Sequence, residues 1–239
     1  MEDTEKLDVR RASGPVVIEE PALARWLFAS SGGAWIWLVA RVWLGLEWLV
    51  SGWVKVFGGN VTWQVWRWPG GDYTLTGPGN IGWIRSGVVN GQHLQVGDAV
   101  AGFAKGALTT GTVGEHPQVA YSWYISFLEW IRDTGHPYLG PVVAIGELVI
   151  GIMLVLGLFT GIFAFLGAIL NFSYVFAGTA GVNPAMIVVS ILLVLAWRNA
   201  GWYGLDRFAL RKLGTPWHRG ELFHHGDDTP EGSTTVNQT

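Results

Sequence analysis

Long apolar stretches separated by polar segments dominate this chain. The first stretch, Ala34–Phe57, contains only three ionisable residues, Arg41, Glu47 and Lys55. About 20 mostly apolar residues cross a bilayer as a helix, so this stretch predicts a membrane span. The three ionisable side chains need an explanation, because each costs about 2.5–3.5 kcal/mol at mid-bilayer unless it is paired or reaches water.

The second apolar stretch, 141–178, carries a single charge and is too long for one span. The sequence Gly-Leu-Phe-Thr-Gly at 157–161 predicts a tight turn, which gives two antiparallel spans at about 141–158 and 160–178. One very long tilted helix is the alternative. Asn183 followed by proline predicts the start of a fourth span, at about 183–198.

These spans predict an all-α membrane protein with a four-helix transmembrane bundle in a membrane domain at 34–200. A long extracytoplasmic loop, 58–140, separates the first two spans and is rich in Gly and Pro. Within it we expect irregular structure through about residue 95, with a short hairpin at 81–94. Polar residues then recur at spacings of three and four over 121–133, which predicts an amphipathic helix.

The terminal segments are predicted to lie on one side of the membrane, since the number of spans is even. Residues 1–33 read as a cytoplasmic tail with an interfacial turn of helix, and 201–239 as a cytoplasmic C-terminal tail that ends in disorder. Basic residues lie before the first span and after the last span, on the side of the chain termini. This bias favours cytoplasmic termini and a multi-pass protein of the cell membrane.

Composition supports a membrane protein and removes several chemistries. Half of the residues are hydrophobic and only 14% are charged. The near balance of charge gives no support for binding nucleic acid. Because cysteine is absent, we expect no iron–sulfur cluster, covalently attached haem or thiolate metal site, and no span pairs histidines for buried haem. Electron transfer by this chain would need a partner subunit or a diffusible carrier.

The ionisable residues of the first span fall at different depths. At 1.5 Å per residue, Glu47 lies close to the midplane, Lys55 near the outer surface and Arg41 about 10 Å from the inner one. Lys55 and Arg41 can extend to the headgroups, which is the common behaviour of long basic side chains. Glu47 cannot, so it must be protonated, paired or open to a polar cavity. Ser51 shares its helical face.

Two polar residues on other spans are predicted to lie at the same depth as each other. Glu147 and Asn171 each fall about 10 Å below the outer surface, so the polar groups are predicted to converge in the outer half. Glu147 either pairs with Lys55 and holds two spans in register, or acts in function. Asn171 either bonds a neighbouring helix, which is its usual role in membranes, or contacts a ligand.

Several separated motifs run through residues 35–217 in a fixed order. They are RVWLGLEWLVSGWVK at 41–55, YSWYISFLEW at 121–130, GELVIG at 146–151, LGLFTG at 156–161, NF at 171–172, AGTA at 177–180, NP at 183–184, GLDR at 204–207 and GTPW at 214–217. In this combination the chain resembles the DoxX/DoxD-like integral membrane proteins. The segment 60–95 is longer than the corresponding loop of typical relatives.

The resemblance implies a four-helix membrane bundle of bacterial or archaeal type. One branch of the family is the membrane subunit of thiosulfate:quinone oxidoreductase, which works with a second subunit, and other members resemble membrane partners in oxidant-defence assemblies. Activity differs across the family, so the fold carries over more safely than the reaction.

Three functions follow as hypotheses. The first is a membrane subunit of a quinone-linked oxidoreductase of the thiosulfate:quinone type, with quinone as a diffusible substrate and no metal or haem. Its catalytic candidates are Glu47, Arg41 and Glu147, which would handle protons and the quinone carbonyl, and its substrate- or quinone-binding candidates are Lys55, Ser51 and Asn171. The second is a non-catalytic anchor or assembly subunit, bound to a partner subunit or to copies of itself. The third is a small transporter.

Overall fold

The computed structural model describes residues 21–63, 73–77, 79–111 and 119–214. Most of the N-terminal tail and the tail beyond 214, for which disorder was predicted, lie outside this range. The described part is mostly helical. Its helices are α1 (Ala22–Ala29), α2 (Ala34–Phe57), α3 (Asp98–Thr110), α4 (Ser122–Trp130), α5 (His136–Leu156), α6 (Thr160–Phe176), α7 (Asn183–Leu195) and α8 (Asp206–Lys212).

Two short antiparallel hairpins lie between α2 and α3. Strand β1 (Gly59–Trp63) pairs with β2 (Tyr73–Gly77), and β3 (Gly87–Val89) pairs with β4 (Gln92–Leu94). Asn90 and Gly91 connect the second hairpin, and both have positive φ, at 50° and 78°. An Asn-Gly pair with positive φ at both positions is typical of a two-residue hairpin turn, and it confirms the hairpin predicted within 81–94.

Two helices are long and apolar enough to cross a membrane, judged by length and composition. One is Ser31–Phe57, which includes α2, and the other is Ser122–Leu156, which joins α4 to α5. The apolar helices α6 and α7 are shorter. Helix α2 packs along α5, and α6 packs along α7. Their shared core is apolar and includes Leu44, Trp48, Leu154 and Leu193.

Glycines let α2 and α5 approach closely. A Cβ atom at Gly52 would lie 2.6 Å from the Cα of Leu148, and one at Gly151 would lie 2.5 Å from the Cα of Leu49. Both distances are shorter than van der Waals contact, and both are to backbone atoms. The two helices therefore touch main chain to main chain, as small residues permit in membrane proteins.

The helix that contains α5 starts earlier than predicted. The sequence placed the start of the second span at about 141, where the apolar stretch begins. In the structure the helix runs from Ser122 to Leu156 through a π-helical turn, Ile131–Gly135. In that turn the His136 N–H bonds to the Ile131 carbonyl. A π turn already interrupts the regular hydrogen-bond ladder, so a proline directly after it removes little.

Helix α3 was not predicted. It packs on α4, on the π turn and on α5, and it buries Val100, Ala104 and Ala107. These residues do follow helical spacing, and Asp98 stands in the first turn, where a carboxylate is favourable. The signal is weak because the buried side chains are small and because Gly102 and Gly106 interrupt the helix.

Candidate functional site

A cavity of about 440 Å³ lies among α2, α5, α6 and the start of α7. Helices α3 and α4 close it at one end, through side chains such as Val100, Phe103 and Tyr124. Most of its lining is apolar. The polar and ionisable side chains that line it include Glu47, Trp48, Ser51, Lys55, Tyr124, Glu147, Asn171, Tyr174 and Asn183.

The Glu147 carboxylate joins three helices. Glu147 on α5 is fully buried, and its Oε2 forms an ion pair with Lys55 Nζ of α2 and accepts a hydrogen bond of 2.8 Å from Ser51 Oγ. Its Oε1 accepts a hydrogen bond from the Tyr174 hydroxyl of α6. A buried charge is stable only when it is paired and hydrogen-bonded, and these contacts meet both conditions.

Lys55 contributes further contacts at the same place. Its ammonium donates to Ser51 Oγ at 3.1 Å, which the i,i+4 spacing on α2 allows. It also lies 5.0 Å from the ring centroid of Trp83 and 5.8 Å from that of Tyr174. Cations over aromatic faces are attracted by the ring quadrupole. Trp83 therefore links the segment between β2 and β3 to the site. We call the group Ser51, Lys55, Glu147 and Tyr174 the carboxylate cluster.

A second polar region of the lining lacks partners. Asn171 on α6 is fully buried, and neither its Oδ1 nor its Nδ2 has a hydrogen-bond partner within the described residues. The indole Nε1 of Trp48 on α2 is also buried without a partner in that part of the chain. Buried polar groups are paired in the great majority of cases, so unpaired groups on a cavity wall point to a ligand or to water.

The structure brings five of the six predicted site residues to this one cavity: Glu47, Ser51, Lys55, Glu147 and Asn171. The ion pair between Lys55 and Glu147, given above as an alternative to a functional role, is present.

Arg41 lies at the opposite end of α2, away from the cavity. It is buried, and its Nη1 donates to the carbonyl oxygens of Leu154 at 2.5 Å and Val155 at 3.0 Å. These carbonyls belong to the last turn of α5, where no intrahelical partner exists and the helix dipole favours a cation. The contacts of Arg41 are those of a helix cap, so the structure places it apart from the other candidates.

The carboxylate of Asp206 also stabilises the turn after α5. Asp206 accepts hydrogen bonds from the backbone N–H groups of Phe159 at 2.5 Å and Thr160 at 3.0 Å, at the start of α6. A carboxylate at a helix N-terminus satisfies orphan donors and complements the dipole. The turn predicted at 157–161 is confirmed, and the alternative of one long helix is wrong.

Three residues of the site were missed from the sequence. Tyr174 follows Asn171 by three positions and so shares its helical face, which was an available signal. Trp48 was not singled out, because tryptophan is common in membrane proteins for other reasons. Trp83 had no signal, because its position depends on how the segment between the hairpins folds back. No group of three or more His, Cys, Asp or Glu side chains suited to a metal ion occurs in the described ranges.

Comparison with known proteins gives no assignment: no family model, no curated protein and no solved structure matches this chain. The resemblance to the DoxX/DoxD-like proteins stays a prediction.

Proposed function

We propose that this chain is a multi-pass membrane protein in which α2, the Ser122–Leu156 helix, α6 and α7 are the four spans. The distribution of side chains supports this proposal, because polar groups such as Arg41, Glu147 and Asn171 are buried while apolar ones face outward. A soluble protein has the reverse arrangement. The outward apolar side chains include Val142, Ile145, Val149 and Ile152 of α5, Ile162, Phe165, Ile169 and Phe172 of α6, and Val188, Ile191 and Leu195 of α7.

We further propose that the cavity binds quinone and that the chain is the membrane subunit of a quinone-linked oxidoreductase of the thiosulfate:quinone type. The observation that carries this is the carboxylate cluster on the wall of an otherwise apolar cavity. An apolar cavity with a few convergent polar groups is the usual form of a small-molecule site. A lipid-dissolved ring with carbonyl oxygens fits such a site, because the ring suits the apolar lining and the oxygens can accept hydrogen bonds from the polar groups.

The cluster supplies what quinone reduction requires. Converting a quinone to a quinol takes two electrons and two protons, which end on the two ring oxygens. The Lys55 ammonium has three N–H donors, of which Ser51 and Glu147 accept two, so the third can hydrogen-bond a carbonyl oxygen. Tyr174 donates its hydroxyl to Glu147 and holds the carboxylate beside Lys55. Glu147 can then return a proton to Lys55 after Lys55 has passed one to the quinone.

The electrons come from outside this chain. Oxidation of two thiosulfate ions to one tetrathionate releases the two electrons that one quinone takes up. The sequence has no cysteine, so we place the electron-donating centre on a partner subunit. Trp83, from the described residues between β2 and β3, lies at the cavity beside Lys55, and we propose this end as the docking side.

The test is thiosulfate-dependent quinone reduction in membranes that contain the wild-type chain or Glu147→Gln. Gln keeps the size of the side chain but removes the charge that Lys55 pairs with. We expect reduction to fall by a factor of at least about 100, in the range seen when a proton-transfer group is lost. Ser190→Ala is the matched control, because Ser190 is buried on α7 outside the cavity lining. Equal rates for wild type and Glu147→Gln would contradict the proposal.

A non-catalytic anchor subunit is the second candidate. It is favoured by one observation: the Lys55–Glu147 pair ties α2 to α5 and is therefore useful to stability alone. In that case Glu147→Gln would lower the unfolding temperature and the yield of a co-purified partner in mild detergent, and no quinone would bind. Normal stability with lost reduction distinguishes the first function from this one.

A further inference from the structure

We infer that Trp48 and Asn171 form a second hydrogen-bonding pole, opposite the carboxylate cluster, that selects a ligand with acceptor oxygens at both ends of one ring. The inference rests on the proposed function, because it assumes that the cavity takes a neutral membrane-dissolved ring. It adds the residues that bind the second carbonyl oxygen of that ring, and with them a preference for a 1,4-dione over a ring with a single carbonyl.

The first support is that both residues present unused polar atoms to the cavity. Asn171 is 0% exposed and Trp48 is 2% exposed, and both line the cavity. The Asn171 amide and the Trp48 indole N–H have no partners in the ranges that the structure describes. The carboxylate cluster, in contrast, satisfies its own groups. The unused donors of Trp48 and Asn171 therefore belong to residues outside that cluster.

The second support is that the two residues are neighbours. A Cβ atom at Gly167 would lie 2.9 Å from Trp48 Nε1, so the indole N–H sits against α6 at that glycine. Gly167 precedes Asn171 by one helical turn and is on the same face. The missing side chain of Gly167 therefore makes room for the indole N–H about one helical turn from Asn171.

The third support is the spacing between the poles. Asn171 and Tyr174 are three residues apart on α6, which is about 4.5 Å along the helix. On α2, Trp48 precedes Lys55 by seven residues, or about 10 Å. Along the helices the two poles are therefore offset by about 4.5 to 10 Å, a range that includes the length of one ring with an oxygen at each end. Apolar side chains such as Val143 and Leu170 line the cavity as well.

Two glutamates also line the cavity. Glu147 on α5 belongs to the carboxylate cluster, and Glu47, one residue before Trp48, also lines the cavity. At the second pole, Trp48 and Asn171 would donate to one ligand oxygen. Each pole then has a carboxylate that can exchange protons: Glu47 beside Trp48, and Glu147 in the carboxylate cluster. An amide that can both donate and accept suits the quinone and the quinol, because Asn can turn either group to the ligand.

The experiment compares two probes whose only oxygens are ring carbonyls: 2,3-dimethyl-5-decyl-1,4-benzoquinone, with two opposed carbonyls, and 3-decylcyclohex-2-enone, with one. Binding of each to the detergent-purified full chain is measured by isothermal titration calorimetry. We expect the wild type to favour the dione by about tenfold, and Asn171→Leu and Trp48→Phe each to weaken dione binding about three- to tenfold, the size of one lost hydrogen bond. Binding of the enone, whose single carbonyl uses the carboxylate cluster, should stay unchanged.

The controls separate the two proposals. Ser190→Ala should change the binding of neither probe. The unfolding temperature of each variant shows whether it folds, and if Asn171→Leu does not fold, Trp48→Phe alone tests the second pole. Full preference for the dione in both folded pole variants, or equal wild-type binding of the two probes, would overturn the second pole. In either case loss of binding in Glu147→Gln would still support the proposed quinone site. A wild type that binds neither probe would overturn both proposals.

Discussion

Two buried charges in this chain have opposite kinds of surroundings. Glu147 shares a cavity wall with Lys55 and Tyr174, whereas Arg41 is enclosed by the last carbonyls of α5. Both were catalytic candidates on the basis of depth in the membrane. The structure gives Glu147 a place beside open space and Arg41 a place in the turn between helices. Residue type and depth alone did not distinguish these two environments.

The position of Arg41 predicts a loss of stability without a loss of ligand binding. Arg41→Met keeps most of the side-chain volume but removes hydrogen bonds to the Leu154 and Val155 carbonyls. We expect destabilisation of about 2–3 kcal/mol, the usual size for hydrogen bonds to a charged group. The measurements are thermal unfolding in detergent and decylubiquinone affinity. Arg211→Met, at an exposed position on α8, should change neither. Lost affinity at normal unfolding temperature would instead support the catalytic role.

The candidate site was partly accessible from sequence because helical rise converts position into depth. That arithmetic placed Glu147 and Asn171 at one level and Lys55 nearer the outer surface, all in the outer half, and the three line one cavity. It could not place Trp48 as a donor, since tryptophan is common in membrane proteins for other reasons. It also could not show that Ser51 and Tyr174 would both reach Glu147, because rotation of helices about their axes is set by packing.

Helices α2 and α5 approach each other main chain to main chain. Gly52 and Gly151 let the two backbones touch, and Gly45 does the same near the other end, where a Cβ would lie 3.0 Å from the Cβ of Leu154. The Lys55–Glu147 ion pair lies along this contact. The orientation of the carboxylate cluster therefore depends on three small residues.

Alanine at these glycines should separate the two helices. Gly52→Ala and Gly151→Ala each add a methyl group against the backbone of the facing helix, and we expect a destabilisation of about 1–3 kcal/mol, as in overpacked cores. Gly146→Ala is the matched control on α5, because a Cβ there meets no atom within 4 Å in the described part of the chain. It should be neutral or stabilising by about 0.5–1 kcal/mol, since Ala favours helix. Thermal unfolding in detergent measures all three, and a stable Gly52→Ala would contradict the close contact.

The elements that were predictable are those with a strong hydrophobic pattern. Helix α2 has the bounds Ala34–Phe57 that the apolar stretch predicted, and the β3–β4 hairpin follows from Asn90 and Gly91. Helix α3 and the join between α4 and α5 were not predicted. In both cases local signals favoured a break, and tertiary contacts with neighbouring helices outweighed them.

At the scale of the whole molecule, the contacts fall into two ends. Arg41, Asp206 and the bond of 2.9 Å from Asn199 to the Leu27 carbonyl lie at one end, with α1 and α8. The carboxylate cluster, α3 and the hairpins lie at the other. Successive long helices run in alternating directions between these ends. This arrangement is what four spans with both termini on one side require.

The absence of cysteine makes this topology directly testable. Single cysteines at Val88 in β3 and at Arg211 in α8, both exposed positions, can be labelled with a membrane-impermeant maleimide in intact cells. We expect Val88→Cys to react from outside and Arg211→Cys to react only after the membrane is opened. The cysteine-free wild type gives the background. Labelling of both positions from the same side would contradict four spans.

The π turn at Ile131–Gly135 has a consequence for how the two halves of this helix are oriented. One additional residue in a helical turn rotates everything beyond it by about 100° about the axis. The residues before the turn, such as Tyr124 and Leu128, can therefore fit α3, while those after it orient Glu147 toward the cavity. The π turn thus sets the rotation of the two halves independently, so that Tyr124 can pack on α3 and close the cavity while Glu147 faces into it from the second half.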